Sequence, residues 1–439
     1  MRGAARTDPD TRRAIEAVFR IESAKIIAGL AKIVRDVGVA EELAQDALVA
    51  ALEQWPDEGI PDKPAAWLMA TAKHRALDLL RHRKLTARKH EEIGHAIEAA
   101  GGERGDDHES MLAAVDDDIG DEVLTLIFTA CHPVLTTEAR TALTLKLICG
   151  LTTAEIARAF LVPELTIAQR IVRAKRTLSE AHVPFEAPRR EELGERLMSV
   201  LEVVYLVFNE GYSATAGDDW LRPALCDDAL RLGRMLAELA SNEPEVHGLV
   251  ALMEIHASRS GARITPSGEP ILLLDQDRSR WNQLLIRRGL AALARAEQLG
   301  GALGPYALQA AIAACHARAH VAADTDWARI VAFYDALAAL SPSPVVLLNR
   351  AVAVGMAFGP EEGLALVDEL RDEPALASYH LLQAVRGDLL VKLGRHAEAI
   401  GEFERAAALT QNARERELLT RRALACVPVG TASASPNLD

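Results

Sequence analysis

Thr-Thr-Ala-Glu-Ile-Ala-Arg-Ala-Phe-Leu-Val-Pro-Glu-Leu-Thr-Ile-Ala-Gln-Arg-Ile-Val-Arg-Ala-Lys-Arg-Thr-Leu, residues Thr152 to Leu178, reads as two short helices around a tight turn. Thr152 and Glu155 have the spacing of a capping box, in which each side chain takes up an orphan backbone N–H of the other residue. Ile156, Ala157 and Phe160 form one apolar stripe, and Ala157 is small where a second helix can cross closely. The Leu161-Val162-Pro163 step ends the first helix, because the residue before a proline is pushed out of the α region. Pro163 then suits the start of the next helix. In that helix Ile167, Ile171, Ala174 and Leu178 recur at helical spacing and are expected inward. Thr166, Gln169, Arg170, Arg173, Lys175 and Arg176 are left outward. A buried apolar edge with an outer face of Thr, Gln and Arg suits the DNA major groove. Arg grips guanine bidentately, Gln reads adenine, and the further cations hold phosphates. A helical hairpin with a solvated basic face would carry the same residue types, so the rest of the chain has to decide.

At 439 residues the chain exceeds one ordinary domain. It is rich in Ala, Leu, Glu and Arg and has no long strand-like run, which favours an all-α architecture. A net charge of −14 argues against a general nucleic-acid coat. The charge is unevenly spread, however. Lys63, Lys73, Arg75, Arg81, Arg83, Lys84, Arg88 and Lys89 face Asp78 alone between residues 63 and 89, whereas Arg104 is the sole cation among many carboxylates from Glu91 to Glu122. A basic block beside an acidic linker is more informative than the total. Cys131, Cys149, Cys226, Cys315 and Cys426 are widely spaced without a CxxC pair. That speaks against a disulfide framework or structural zinc and for a reducing cytoplasm. No apolar run is long enough for a bilayer, and the N-terminus lacks a signal-peptide core.

Arg12 to Arg35 is expected as an amphipathic helix, with Ile15, Val18, Phe19, Ile26, Leu30 and Ile33 inward and Gly38 interrupting it. A second helix, Ala40 to Trp55, would turn Leu43, Ala47, Leu48, Ala51 and Leu52 inward. Glu41, Glu42, Gln45, Asp46 and Glu53 would form its acidic outer edge, either solvated or docking a basic partner. A Pro- and Gly-rich loop follows, then a long helix from Ala65 to Arg83. There Trp67, Leu68, Ala72, Leu79 and Leu80 pack, while Lys73, His74, Arg75, Arg81 and Arg83 make a cationic surface. Basic residues with an aromatic beside such a loop suit melted nucleic acid. Burial habits equally suit Trp67 to the core. Asp121 to His132 and Thr136 to Cys149 add two further helices before the helical pair.

Three of these stretches together resemble the extracytoplasmic-function (ECF) subfamily of sigma-70 family RNA polymerase sigma factors. Glu41 to Ala47 resembles region 2.2, Trp67 to Arg81 regions 2.3 and 2.4, and Thr152 to Leu178 region 4.2, in the family's order. The resemblance implies two small helical domains, region 2 at 10–88 and a helix-turn-helix region 4 at 119–183, joined by an acidic flexible linker at 89–118. It implies binding to core RNA polymerase, at its β′ clamp and β flap, and to promoter DNA. Glu42, Gln45, Asp46 and Gln54 would dock the β′ clamp. Lys63, Trp67, Lys73, His74, Arg75, Asp78 and Arg81 would meet the −10 element. Thr166, Gln169, Arg170, Arg173, Lys175 and Arg176 would meet the −35 element. His74 stands where many relatives carry Asn.

Ordinary members end near Leu178, whereas this chain continues. A helical extension is expected at 189–300 and tetratricopeptide (TPR)-like repeats at 301–425, with a disordered tail at 426–439. Leu193 to Phe208 is expected as a helix capped by Gly211, and Ile264 to Leu274 as a short hairpin. Gly387, Leu390, Gly394, Ala399, Phe403 and Ala406 fall on repeat positions, with Val352, Gly359 and Leu364 35 residues earlier. Such repeats stack into a solenoid with a concave partner-binding face. Asn209, Glu210, Tyr212, Asp275, Asp277, Arg278, Arg280 and Trp281 would form a regulatory contact, a charged network or a small-ligand pocket. Asp caps and ion pairs would use the same residues.

No nucleophile triad, metal-ligand spacing or phosphate loop is present, and Glu254 and His256 lie on different helix faces. The expectation is therefore a non-enzymatic, cytoplasmic ECF-type sigma factor without cofactor, metal or membrane anchor, its TPR-like tail regulating it or binding a partner. The rival reading is a one-component helix-turn-helix regulator whose helical tail senses a ligand. A TPR scaffold is a third, and it predicts indifference to loss of Arg170 and Arg173.

Overall fold

In a computed structural model of the chain, the structure describes residues 9–94, 119–160, 162–189, 191–214, 216–217 and 220–427. It forms two compact units, Met1–Leu206 and Val207–Asp439.

The first unit begins with α1 (Pro9–Val34), α2 (Val37–Glu58) and α3 (Pro64–Gly94). The break between α1 and α2 falls at Arg35, with φ of 53°. Asp36 caps α2 by accepting the Val39 N–H at 3.0 Å. Gly38, expected as the interruption, instead lies in the first turn of α2. The three helices close on Ile15, Phe19, Ile26, Ile27 and Leu30 of α1, Leu43, Ala47, Ala51 and Trp55 of α2, and Leu68, Ala72 and Ala76 of α3, all buried. Burying each larger apolar chain contributes roughly 1.5–3 kcal/mol, and the alanines let the backbones approach. Leu79 and Leu80 are only half-buried. α3 runs through Gly94, into the stretch expected as linker. The rest of that linker, 95–118, and the expected tail from 428 lie outside the described residues.

The first unit continues with α4 (Ile119–Ala130), α5 (Thr137–Leu147), α6 (Thr153–Phe160) and α7 (Glu164–Glu180). α4 packs on α1, and Lys32 donates to Glu122 at 2.7 Å across that contact. The start of α8 (Leu193–Tyr212) belongs here too. Arg196 donates to the Phe128 carbonyl at 2.8 Å and Ser199 to the Cys131 carbonyl at 2.9 Å, taking up free carbonyls at the end of α4.

The second unit is a succession of helices: α9 (Pro223–Leu239), α10 (Pro244–Ala257), α11 (Gln283–Gln298), α12 (Pro305–Arg318), α13 (Trp327–Leu340), α14 (Pro344–Ala357), α15 (Pro360–Glu369), α16 (His380–Lys392), α17 (His396–Leu409) and α18 (Ala413–Ala425). From α12 onward each helix packs on the next. Gly359 (φ 133°) and Gly394 (φ 71°) make equivalent corners before α15 and α17, in the 35-residue register. Leu364 and Ala399 lie buried one turn after them. A Cβ on Gly387 would sit 2.7 Å from the Phe403 ring, and one on Gly363 2.7 Å from the Gly355 Cα, so small residues set both crossings.

Two further expectations are corrected. The helix expected to end at Phe208 runs on to Tyr212, with Gly211 inside it rather than capping it. A Cβ there would meet the Cys226 backbone nitrogen at 2.6 Å, so the glycine serves the close approach of α9. The hairpin expected at 264–274 is reduced to a single antiparallel bridge, Ile264 to Pro270, around Gly268. A two-residue parallel pair, β1 (Ala216–Gly217) with β2 (Gln411–Asn412), ties the start of the unit to its end. The five cysteines are free and buried. No helix among the described residues is long and apolar enough to cross a membrane.

Candidate nucleic-acid and polymerase interfaces

The helix-turn-helix is built by local chemistry first. The Thr152 N–H donates to Glu155 Oε2 at 2.7 Å, and the Glu155 N–H donates to Thr152 Oγ1 at 3.1 Å, which completes the capping box. Pro163, with φ −58° and ψ 142°, occupies the N-cap of α7. Ile156 and Ala157 of α6 and Ile167, Ile171, Ala174 and Leu178 of α7 are buried together, as their spacing predicts.

α7 then presents different chemistry on each side of that row. Thr166, Gln169, Arg170 and Arg173 line one groove of about 430 Å³ with Val134 to Thr136 of the turn before α5 and Glu138 and Ala139 of its first turn. Glu138 stands in this groove. Its own backbone N–H and the Thr136 hydroxyl hold its carboxyl below the usual range, with Arg170 adding attraction. Arg176 is exposed and donates to Glu180 at 2.6 Å. Lys175 is not on the outward face. It turns to α2, is 18% exposed, and donates to Glu41. Position 175 lies one turn after Ile171, beside the buried row, so it faces protein and not solvent. The structure thus brings together four of the six expected −35 residues, leaves Arg176 in solvent and removes Lys175. Leu165 and Val172, 67% and 64% exposed, stand on the outward face and were missed. Their spacing from Gln169, at i−4 and i+3, was the available signal.

Glu41 is the matching correction on α2. Expected on the acidic edge, it is buried and also forms an ion pair with Lys146 at 3.6 Å. Of the other edge residues, Glu42, Asp46 and Glu53 are exposed and Gln45 is half-buried, and Gln54 is exposed beside them. Asp46 lies 3.6 Å from Arg75 on α3, joining the two predicted contact sets. On α3, Trp67, His74, Asp78 and Arg81 recur at helical spacing. Trp67 is half-buried and packs edge-on against Trp55 at 5.2 Å, so it serves both core and surface. His74 and Lys63 are exposed, and Lys73 and Arg75 are half-buried. Arg81 donates to Asp78 at 3.3 Å in an exposed pair, whose contribution to stability is small.

In the second unit, the side chains of Asp277, Arg278 and Arg280 each make their hydrogen bonds with other residues, with Arg280 only adding a weak attraction to Asp277. Asp277 caps its own 3-10 turn through the Ser279 N–H at 3.0 Å. Arg278 is buried, and its guanidinium donates to the carbonyls of His316 (2.5 Å) and Ala319 (2.8 Å) and to the Thr325 hydroxyl (3.2 Å). Arg280 bonds the Gly261 carbonyl. Asp275 closes another 3-10 turn. Glu210 pairs with Arg222, and Asn209 is half-buried one residue before it. Tyr212 stacks on Phe208, meets His256 edge-on and carries the Arg263 guanidinium 3.6 Å above its ring, with Trp220 at 4.4 Å from the same group. Arg259 lies over both Tyr212 and Trp281, and Arg278 lies over Trp281. Each such cation–ring contact contributes about 0.5–2 kcal/mol. Burial lowers Arg263 to about 10. Burial, then Arg259 and Arg278, lowers His316 to about 4. Among the described residues, no group of three His, Cys, Asp or Glu is arranged to hold a metal.

Residues 21–86, spanning most of α1 to α3, match sigma-70 region 2, and residues 125–178, spanning α4 to α7, match sigma-70 region 4. Residues 196–297, which include most of the arginine–aromatic ladder, match a family of unknown function, DUF6596. The chain is 43% identical over 392 residues to an uncharacterized protein of Rhizobium meliloti (strain 1021), covering 89% of this chain and 90% of that protein. The third matched segment is consistent with an ECF subgroup that carries a C-terminal extension. With regions 2 and 4 in order on α1 to α3 and α4 to α7, the chain belongs to the sigma-70 family of RNA polymerase sigma factors.

Proposed function

We propose that the chain is an ECF-type sigma factor that binds core RNA polymerase and directs it to promoters of two elements. In this reading Glu42, Gln45, Asp46 and Gln54 on α2 dock the β′ clamp, and region 4 also meets the β flap. Lys63, Trp67, Lys73, His74, Arg75, Asp78 and Arg81 handle the −10 element. Thr166, Gln169, Arg170 and Arg173 read the −35 element. The observation that carries this is the groove on α7, where two arginines, a glutamine and a threonine line one side of a helix anchored by the buried row beside them. That is the arrangement direct readout of base edges needs.

The second unit is proposed as a TPR-like regulator or partner platform. The equivalent glycine corners at Gly359 and Gly394 and the small-residue crossings at Gly363 and Gly387 support stacked helical repeats.

Run-off transcription with purified core polymerase and the gene's own upstream DNA tests the reading. A specific transcript is expected only when the protein is present, and it is expected to vanish with Arg170→Ala/Arg173→Ala. Tight promoter binding by the protein alone, with no transcript and no affinity for core polymerase, would instead support the ligand-sensing regulator. The regulatory role is tested with a chain cut after Leu206, which keeps Arg196 and Ser199 on the α4 carbonyls. Unchanged transcription from that chain would remove the regulatory role.

A further inference from the structure

α7 carries two exposed aliphatic residues, Leu165 and Val172, that the readings above leave without a role. Opposite the buried row of Ile167, Ile171, Ala174 and Leu178 stand Leu165, Gln169, Val172 and Arg176, at i, i+4, i+7 and i+11. Leu165 is 67% and Val172 64% exposed. Single exposed aliphatic residues are ordinary on protein surfaces. Here two lie in line on the part of the helix farthest from its core. Between them is Gln169, whose side chain is exposed, and beside them are the exposed cations Arg173 and Arg176. Carboxylates are missing from this face until Glu180, which pairs with Arg176. The face is therefore apolar at two points, neutral between them and positive along its side.

In the major groove one base presents an apolar group at its edge: the C5-methyl of thymine. Aliphatic side chains meet it, glutamine reads adenine, and arginine serves guanine or phosphate. We propose that Leu165 and Val172 read the methyl groups of two thymines within the −35 element, with Gln169 on a base between them. Seven residues of α-helix span about 10.5 Å, and duplex steps are about 3.4 Å, so the two methyl groups lie roughly three base pairs apart. This rests on the −35 reading of α7, and it adds two specificity residues to that reading. The positive charge of Arg173 beside the face is what commits it to DNA and not to another apolar protein surface.

The test uses the full chain with core polymerase on a promoter recovered by selection from random DNA. Each thymine of the −35 element is replaced in turn by deoxyuridine, which removes the methyl group and leaves every hydrogen-bonding edge intact. Two positions are expected to bind about fourfold more weakly, the transfer value of one buried CH2-sized group. Leu165→Ala is expected to abolish sensitivity at one of them and Val172→Ala at the other. Leu165→Met is expected to keep it. Alanine at these exposed helical sites favours the helix, so folding is retained.

Indifference of the wild-type protein to deoxyuridine at every position, with recognition still lost in Arg170→Ala/Arg173→Ala, overturns this inference and leaves the sigma reading standing. Full recognition by Arg170→Ala/Arg173→Ala removes the −35 reading itself. A loss of core polymerase binding in Leu165→Ala without DNA, together with deoxyuridine indifference, assigns the face to a protein contact and also overturns the inference.

Discussion

Glu41 on α2 and Lys175 on α7, 134 residues apart in sequence, form an ion pair within the first unit, with Lys146 as the second cation on the same carboxylate. Glu41 is 8% exposed at its side chain, and the two lysines 18% and 19%. Gly38, in the first turn of α2, lies beside the Lys175 stem, and a Cβ there would make an ordinary 3.5 Å contact with it.

Removing one partner of such a pair leaves buried charge without compensation, which is the costly half of a buried salt bridge. Glu41→Ala is expected to destabilise the first unit by about 3 kcal/mol. Adding Lys175→Met should recover part of that loss, because the stranded charge goes with it. Calorimetry of the single and double variants as a cycle checks this. Simple additivity would show that the two side chains do not interact.

The same geometry separates Lys175 from its neighbours on α7. Arg170→Ala and Arg173→Ala are each expected to weaken promoter recognition by about 1–3 kcal/mol and to relax base preference at the contacted position. Lys175→Ala is expected to leave base preference unchanged and to lower stability instead. Competition binding with core polymerase present, on single-base promoter variants, reads the difference. A shifted base preference in Lys175→Ala would return that residue to the DNA face.

Glycine inside a helix normally costs about 1 kcal/mol relative to alanine, so Gly→Ala should stabilise. Gly211→Ala and Gly363→Ala are expected to reverse that sign. Their new Cβ atoms would meet backbone at 2.6 Å (Cys226 N) and 2.7 Å (Gly355 Cα), and backbone gives way less easily than a side chain. A loss of about 1–3 kcal/mol follows, read as a lower urea midpoint. Stabilisation at either site would show that the helices there are not in close contact.

His316 and His256 both prefer the neutral form, first because they are buried and then because arginines surround them. The unfolded chain takes up their protons as pH falls below about 6.5, while His316 in the fold resists down to about 4. Protons favour the unfolded state in that window, so stability falls as pH drops from about 6.5 to about 4 and His316 adds no further slope below it. Hydrogen exchange at α10 and α12 amides across this range should show the loss. His256→Asn/His316→Asn should flatten it. An unchanged slope in the double variant would locate the pH dependence elsewhere.

Periodic, local signals were read correctly from the residues. The capping box of Thr152 and Glu155 and the buried row of α7 each depend on residues a few positions apart, so pattern suffices. The four groove residues Thr166, Gln169, Arg170 and Arg173 were legible for the same reason. Tertiary structure decided the rest. Pattern placed Glu41 and Lys175 in solvent, because the partner that buries each lies 134 residues away. Gly211 read as a helix end until α9 supplied the backbone that excludes a side chain. Asp277 and Arg278 read as members of one charged network or as a cap and an ion-pair partner, and carbonyls from α12 and its following loop claimed the guanidinium. Spacing along a helix tells which way a side chain points, but burial and charge pairing depend on what the remainder of the chain places there.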